Sequence, residues 1–273
     1  MKKISLLVMV LLVSMVASAC GNSKDNNAGT TNSTSGSKAQ TALEAIKASG
    51  KLRIGTEGTY APFTYHDKDG KLTGFDVEIA QEVSKRIGVE PEFVETQWDS
   101  LIAGLDAKRF DTVFNEVSIT DERKEKYDFS DPYIVSKAVL IVPEDNTDIK
   151  TFADLKGKKA GQSLTSNLTQ IAKDNGAEIV STEGFNQAID LLTAKRIDAT
   201  VNDGLSYLDL KKQKPDAPIK VVDTSTDASN SAALFNKGAD DLVAAVNKAL
   251  ADMKSDGTYL KISEKYFGED VSK

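Results

Sequence analysis

Arg123 stands in the stretch SITDERKEKYDFS, where a guanidinium offers two parallel N–H donors to a carboxylate. Ser118 and Thr120 lie just before it with short hydroxyl donors. Further on, Thr165, Ser166 and Asn167 stand where a helix should open, and the free backbone N–H groups of such an end also favour an anion. Asp203 carries the opposite sign and can accept from an ammonium group. Tyr60 and Phe63 in EGTYAPFTY, and Trp98 in ETQWDS, offer aromatic surface to an organic side chain. The set suits a small zwitterion. Plainer readings stand beside it: Arg123 as part of a solvated ion pair within DERKEKYD, and the aromatics as core or helix-start packing.

Other chemistry is poorly supplied. His66, the one histidine, sits in the turn-like YHDKDGK, and no Ser/His/Asp set can be built on it. The sequence has no cysteine besides Cys20, no His-rich metal spacing and no GxxxxGK[ST] phosphate loop, so no cofactor or metal is expected. DKDG at residues 67–70 resembles the start of a calcium loop, but the remaining ligand positions are missing and a hairpin turn fits better. The 273 residues, 40% hydrophobic and 27% charged, have the composition of a globular protein with one large domain or two small ones. A net charge of −7 argues against nucleic acid, whose phosphates require a basic surface.

Strands and helices alternate where these residues must be held. Lys51–Thr56 reads as a strand, and Phe75, Ile79, Val83 and Ile87 mark a helix closed by Gly88. Glu92–Glu95 is a strand, Trp98, Leu101, Ile102 and Leu105 stripe a helix, and Phe110–Asn115 is a strand. The plan then repeats, with strands at Lys159–Gln162, Glu178–Ser181 and Ile197–Asn202 and helices at Leu164–Asn175 and Phe185–Lys195. The copy is partly literal: LDAKRFDTVFNE at residues 105–116 returns as LTAKRIDATVND at residues 192–203. Ligands bind beyond the carboxyl ends of parallel strands, so Asn115-Glu116 and Asn202-Asp203 are expected on opposite walls of one cleft. The alternative is that the copies share no more than a stable helix-to-strand turn. The apolar runs Lys137–Pro143 and Ser231–Lys237 flank the second copy. They predict an inserted second lobe, residues 139–233, held by two hinge strands to a first lobe of residues 41–138 plus 234–273.

The N-terminus carries an address. MKK, the apolar ISLLVMVLLVSMV and small residues before Cys20 form a signal peptide over residues 1–19, and ASAC followed by Gly21 resembles a bacterial lipoprotein signal with Cys20 as the lipidated residue. Residues 20–40 are polar and read as a disordered tether. The expectation is a monomer held at the outer face of a bacterial cell membrane by lipid.

The stretches GTEGTYAPFTYHDKDGKLTGFDVEIAQEVSKRIG, ETQWDSLIAGLDAKRFD and SITDERKEKYDFSDPY together resemble the extracytoplasmic solute-binding proteins (family 3) of polar amino-acid ABC importers, nearest the cystine-binding branch. The resemblance spans roughly residues 45–268. It implies an α/β, two-lobed type II periplasmic-binding-protein fold, each lobe a mostly parallel sheet flanked by helices, that closes on one amino acid and passes it to an ABC permease and its ATPase. By the same resemblance, Tyr60 and Trp98 stack on the ligand side chain and Glu57 meets its distal group. Asn115, Glu116 and Ser118 match the segment at the α-amino and α-carboxylate groups, Arg123 the carboxylate-binding arginine, Thr165 and Ser166 the second lobe's carboxylate donors, and Asp203 the ammonium acceptor. Leu164 departs from the pattern, since many relatives carry glycine there. The ligand expected is L-cystine, with arginine, histidine or glutamine as alternatives. A secreted dehydratase of similar fold, using Glu116 or Asp203 as its acid, is the enzymatic alternative.

Overall fold

The computed structural model of the protein describes residues 40–273. The expected signal over residues 1–19, Cys20 and nearly all of the tether lie outside the described residues. In chain order the protein forms α1 (Ala42–Ser49), β1 (Lys51–Thr56), β2 (Thr59–Tyr60), β3 (Thr64–His66), β4 (Leu72–Thr73), α2 (Phe75–Ile87), β5 (Glu90–Glu95), α3 (Trp98–Asp106), β6 (Thr112–Val113), α4 (Asp121–Lys126), β7 (Tyr127–Phe129) and β8 (Ile134–Ser136). There follow β9 (Ala138–Pro143), a 3-10 turn at Phe152–Leu155, β10 (Lys159–Gln162), α5 (Asn167–Asp174), β11 (Glu178–Ser181), α6 (Phe185–Thr193), β12 (Thr200–Asp203), α7 (Gly204–Gln213), β13 (Ile219–Thr224) and β14 (Ser229–Ser231). β15 (Leu234–Asn236), α8 (Asp240–Ser255) and α9 (Thr258–Phe267) complete the first lobe.

The first lobe's sheet has the order β5-β1-β6-β15-β7, parallel across β5, β1 and β6 and antiparallel at β15 and β7. In the second lobe β10 pairs in parallel with β11 and bridges to Ala199, while β9 is flanked antiparallel by β12 and β13. Both sheets are therefore mixed, where alternation of strand and helix predicts mostly parallel ones. The reason is connectivity: β9 and β15 are the strands by which the chain enters each lobe from the other, so they run against the strands they meet. Just before β9 and just before β15, β8 and β14 pair antiparallel and make a short ribbon between the lobes. The two apolar runs expected to hold the lobes together are mainly β9 and β15 themselves, and the crossing from lobe to lobe is the ribbon beside them.

Burial explains why these elements hold. Phe75, Ile79 and Val83 of α2 pack with Leu52 and Ile54 of β1, Phe114, Phe235 and the α8 residues Leu242, Val246 and Leu250 in one core. Each such side chain contributes about 1.5–3 kcal/mol on full burial. β9 is covered on both faces, with Leu140 and Val142 in one cluster and Val139 and Ile141 in another, so it reads as an unbroken apolar run rather than an alternating one. Gly88 ends α2 in the left-handed conformation at φ 88, as its place after Ile87 predicts.

The repeated AKR stretch is one turn built twice. Lys108 at φ 56 and Lys195 at φ 55 both take the left-handed conformation just past a helix. Lys108 N donates to Leu105 O and Arg109 N to Gly104 O; Lys195 N and Arg196 N do the same to Leu192 O and Leu191 O. Asp111 Oδ2 then accepts from Arg53 N on β1 at 3.0 Å, and Asp198 Oδ2 from Lys159 N on β10 at 2.8 Å. Phe110 and Ile197 lie over glycines on those same strands. The turn thus fixes the register of the strand that follows, and with it the position of Asn115-Glu116 and Asn202-Asp203.

The glycines matter because a Cβ on Gly55 would lie 2.5 Å from the Phe110 ring, and one on Gly161 2.6 Å from Ile197 Cδ1. Gly55→Ala and Gly161→Ala are each expected to lower stability by about 1–3 kcal/mol through overpacking. Urea unfolding should show an earlier midpoint at unchanged slope, and an unshifted midpoint would contradict the packing described.

Candidate functional site

The carboxyl ends of the parallel strands of both lobes meet at one cleft. From the first lobe come Glu57 after β1, Trp98 at the start of α3 and Glu116 after β6; from the second come Ser163 and Ser166 after β10, Gly184 and Phe185 after β11, and Asn202 at the end of β12. These residues, with Tyr60, Asn167 and Leu168, enclose a cavity of about 50 Å³. Glu116, Asn167 and Leu168 also border a wider groove of about 710 Å³ that takes in Ser118, Thr120, Asp203 and the segment Asp223–Asn230.

The lobes are joined across this cleft. Tyr60 donates its hydroxyl to Asn202 Oδ1 at 2.8 Å, and Asn186 Nδ2 donates to Thr59 O at 3.0 Å. Asp99 on α3 accepts from Leu164 N at 3.2 Å, Thr165 N at 3.0 Å and Thr165 Oγ1 at 2.7 Å. Arg123 Nη2 donates to Thr165 O at 3.4 Å. These contacts hold the two lobes against each other beside the cavity.

The expected residues fall into four groups. Glu57, Tyr60, Trp98, Glu116, Ser118, Ser166 and Asp203 border the cavity or the groove. Arg123 lies beside them, half-buried, with Nη1 donating to Ser118 O at 2.8 Å and the guanidinium 5.4 Å from the Trp98 ring centroid. It forms no ion pair among the described residues, so the surface-pair reading of DERKEKYD fails at this residue. Phe63 and Asn115, both fully buried, stand behind the site. Phe63 belongs to the first lobe's core with its ring 5.2 Å from that of Tyr60, because the chain turns back after Tyr60. Asn115 accepts from Glu57 N at 2.7 Å and donates to Glu57 Oε2 at 2.7 Å, so its side chain orients the acid. Thr165 is exposed and does bind a carboxylate, but that carboxylate is Asp99 of the facing lobe. His66 is exposed at the end of β3, and Asp67 Oδ1 accepts from Asp69 N and Lys71 N within the hairpin turn, which accounts for DKDG without calcium.

Sequence reasoning missed three participants. Asp76, in the first turn of α2, looks like an ordinary helix-start acid, yet it is fully buried and accepts from Glu116 N at 2.5 Å. Asp99 gives no signal beyond its place next to Trp98. Phe185 could have been found, since the repeat aligns it with Trp98, and it stands edge-on to Tyr60 at 6.5 Å.

The site is acidic, and its carboxyls are buried. Burial pushes the Glu57 carboxyl up to about 7, against the hydrogen bond from Asn115. Burial takes Asp76 to about 7 and Asp203 to about 6, against the hydrogen bonds that each accepts. Glu116 lies well above the usual carboxylate range, first through burial and then through the charge of Asp203. Burial also draws Arg123 down. What the arrangement can do is bind a molecule that carries both signs: a carboxylate for the guanidinium and cationic groups for the acids. Among the described residues no group of three or more His, Cys, Asp or Glu side chains is placed to hold a metal ion.

Comparison with known proteins agrees with this geometry. The profile of bacterial extracellular solute-binding proteins, family 3, matches residues 52–269. The chain belongs to that family. It is 48% identical over 275 residues, 100% of each chain, to the L-cystine-binding protein TcyA of Bacillus subtilis (strain 168). An ancestral arginine-binding protein bound to arginine superposes with a TM-score of 0.76 at 40% identity, covering 80% of this chain and 98% of that one. The L-cystine solute receptor of Neisseria gonorrhoeae, in an unliganded open conformation, covers 85% and 99% at 47% identity but scores 0.57. Higher identity with a poorer superposition is what a rotation of one lobe against the other produces, and it matches the shut cleft seen here. The fold is the two-lobed type II periplasmic-binding-protein fold, and family members act outside the cytoplasm as solute-binding proteins of importers.

A carboxyl raised by folding binds more protons folded than unfolded, so its ionisation removes stability as pH rises from the unfolded value through the folded one. For Glu57, Asp76 and Asp203 that window runs from about pH 4 to about 7. The melting temperature of ligand-free protein should fall between pH 5 and pH 7.5, and fall less steeply in Asp76→Asn. A flat profile in thermal scans would contradict the buried acids.

Proposed function

We propose that this protein captures free L-cystine outside the cell by hinge closure and delivers it to an ABC permease and its ATPase. The observation that carries the reading is the cleft, where a carboxylate-seeking Arg123 faces buried acids across an aromatic wall. The 48% identity to an L-cystine-binding protein supports the ligand, and cystine's two ammonium groups suit a site with Glu57, Glu116 and Asp203 against one guanidinium. Arg123 binds the α-carboxylate, Asp203 the α-ammonium, Tyr60, Trp98 and Phe185 enclose the disulfide-linked chain, and Glu57 meets the distal end. Other polar amino acids share the α-groups and form the second choice. The protein returns its ligand unchanged.

Closure of this kind is well known for periplasmic binding proteins, and ligand favours the shut form only by its greater affinity for it. The moving bodies are residues 41–138 plus 234–273 and residues 139–233, turning about the β8–β14 ribbon, with Asp99 as a latch on Leu164 and Thr165. The amide N–H of Leu164 meets Asp99, so a side chain is tolerated where many relatives have glycine: it points outward, 55% exposed. A monomer lipidated at Cys20 on a polar tether keeps the ligand close to its permease.

Two measurements test this. Thermal unfolding of residues 41–273, freed of carried-over ligand, should shift by several degrees with cystine at about 1,000 times its dissociation constant, equivalent to about 4 kcal/mol. A shift with another amino acid alone would replace the ligand, and no shift with any would overturn the reading. Arg123→Ala should weaken binding by about 2–5 kcal/mol, because it strips a buried charge of its partner. Retention of binding within a factor of two would remove Arg123 from the site.

A further inference from the structure

The charges at the cleft do not balance for a single amino-acid end. An α-carboxylate satisfies Arg123 and an α-ammonium satisfies Asp203, while Glu57 is turned by Asn115 towards the aromatic end. Glu116 is left over. It is buried at 7% exposure, borders both the cavity and the groove, and shares the groove with Asp203 from the facing lobe. Its backbone is held at φ 50, in the left-handed region, with its N–H donated to Asp76. One carboxylate oxygen accepts from Ser231 Oγ at 2.8 Å, and no protein donor reaches the other among the described residues. Asp203 accepts from Leu205 N and from Ser136 Oγ. The serines that hold the two acids, Ser231 and Ser136, lie on the paired strands of the hinge ribbon.

We propose that Glu116 is the second half of the ammonium site: in the empty, shut protein Glu116 and Asp203 together retain one proton, and the ligand's α-ammonium takes that proton's place. The inference rests on the reading of the cleft as an amino-acid pocket. The exchange balances as one ammonium entering and one proton leaving to solvent, both carboxylates being ionised afterwards. Like charges in a poorly solvated cleft cannot both ionise without a cation between them. Around the pair, the carboxyl of Asp76 on α2 opposes ionisation of Glu116, while the Ser136 hydroxyl on β8 and the backbone N–H groups of Leu205 and Ser206 on α7 favour that of Asp203. Arg123 on α4 and the Ser231 hydroxyl on β14 favour that of Glu116. The phenols of Tyr60 and Tyr133 are pushed well above their ordinary range by burial and stay neutral. Burial supports the same direction for Glu116 and for Asp203. Because binding releases a proton, affinity rises with pH, by up to about tenfold per unit.

Calorimetric titration of the wild-type protein with L-cystine at pH 7.0 and 7.5, in phosphate, Hepes and Tris, counts the protons from the dependence of the heat on buffer ionisation. Wild type should release about one, and Glu116→Gln about none, with an affinity that no longer changes between pH 7 and pH 8. Equal release by the two proteins overturns the inference, as does wild-type binding with no release at any pH from 6 to 8. Should the glutamine variant fail to fold, the wild-type count decides. Absence of binding to any amino acid, a separate outcome, overturns the pocket reading and this inference with it.

Discussion

Removing carboxylates from water is the costliest thing this fold does, and much of the cleft is arranged around that cost. Glu57, Asp76, Glu116 and Asp203 are all buried, and each is given hydrogen-bond donors: an asparagine amide, a backbone N–H, or a serine hydroxyl on the hinge ribbon. Donors offset part of the desolvation penalty without supplying the missing positive charge. A cationic group arriving with the ligand supplies it. A site of this kind favours ammonium groups beside its acids and a carboxylate beside Arg123.

The two lobes solve one geometric problem in the same way. In each, a helix ends in a left-handed lysine, an aspartate accepts from the main chain of the neighbouring strand, and a large apolar side chain fills the space left by a glycine. The turn that the sequence offers as the plainer account of the repeat is present in both lobes. It also explains the matched strand ends, because a fixed turn delivers the asparagine-acid pair to the same place in each lobe. The pairs then diverge in use: Asn115 clamps Glu57, while Asn202 reaches across to Tyr60.

The same divergence separates the two ends of the cleft. At the aromatic end, Tyr60, Trp98 and Phe185 form a wall that Phe63 props from behind, so the wall is part of the first lobe's core. At the polar end, Arg123 spans the gap from Ser118 to the backbone of Thr165, touching both lobes.

Much of this could be read without coordinates. β1, β10 and β11 occupy the spans that apolar pattern and glycines predict, and α2 ends where Gly88 says it must, because local propensity and capping act between neighbours in sequence. Residue type and position after strands place Arg123, Tyr60, Trp98 and Asp203 at the cleft, where the structure also has them. What the sequence left undecided depends on contacts between distant residues. That Phe63 faces the core, that Asn115 holds Glu57 and that Thr165 holds Asp99 are all settled by packing between residues far apart in sequence, the last of them across the cleft. So is the role of Asp76, an acid on a helix face that is buried only once α2 has packed under Glu116. Residue type and spacing determined the chemistry available. Burial and the approach of the second lobe, which no local pattern encodes, decided which groups keep their charge and which of them a ligand can reach.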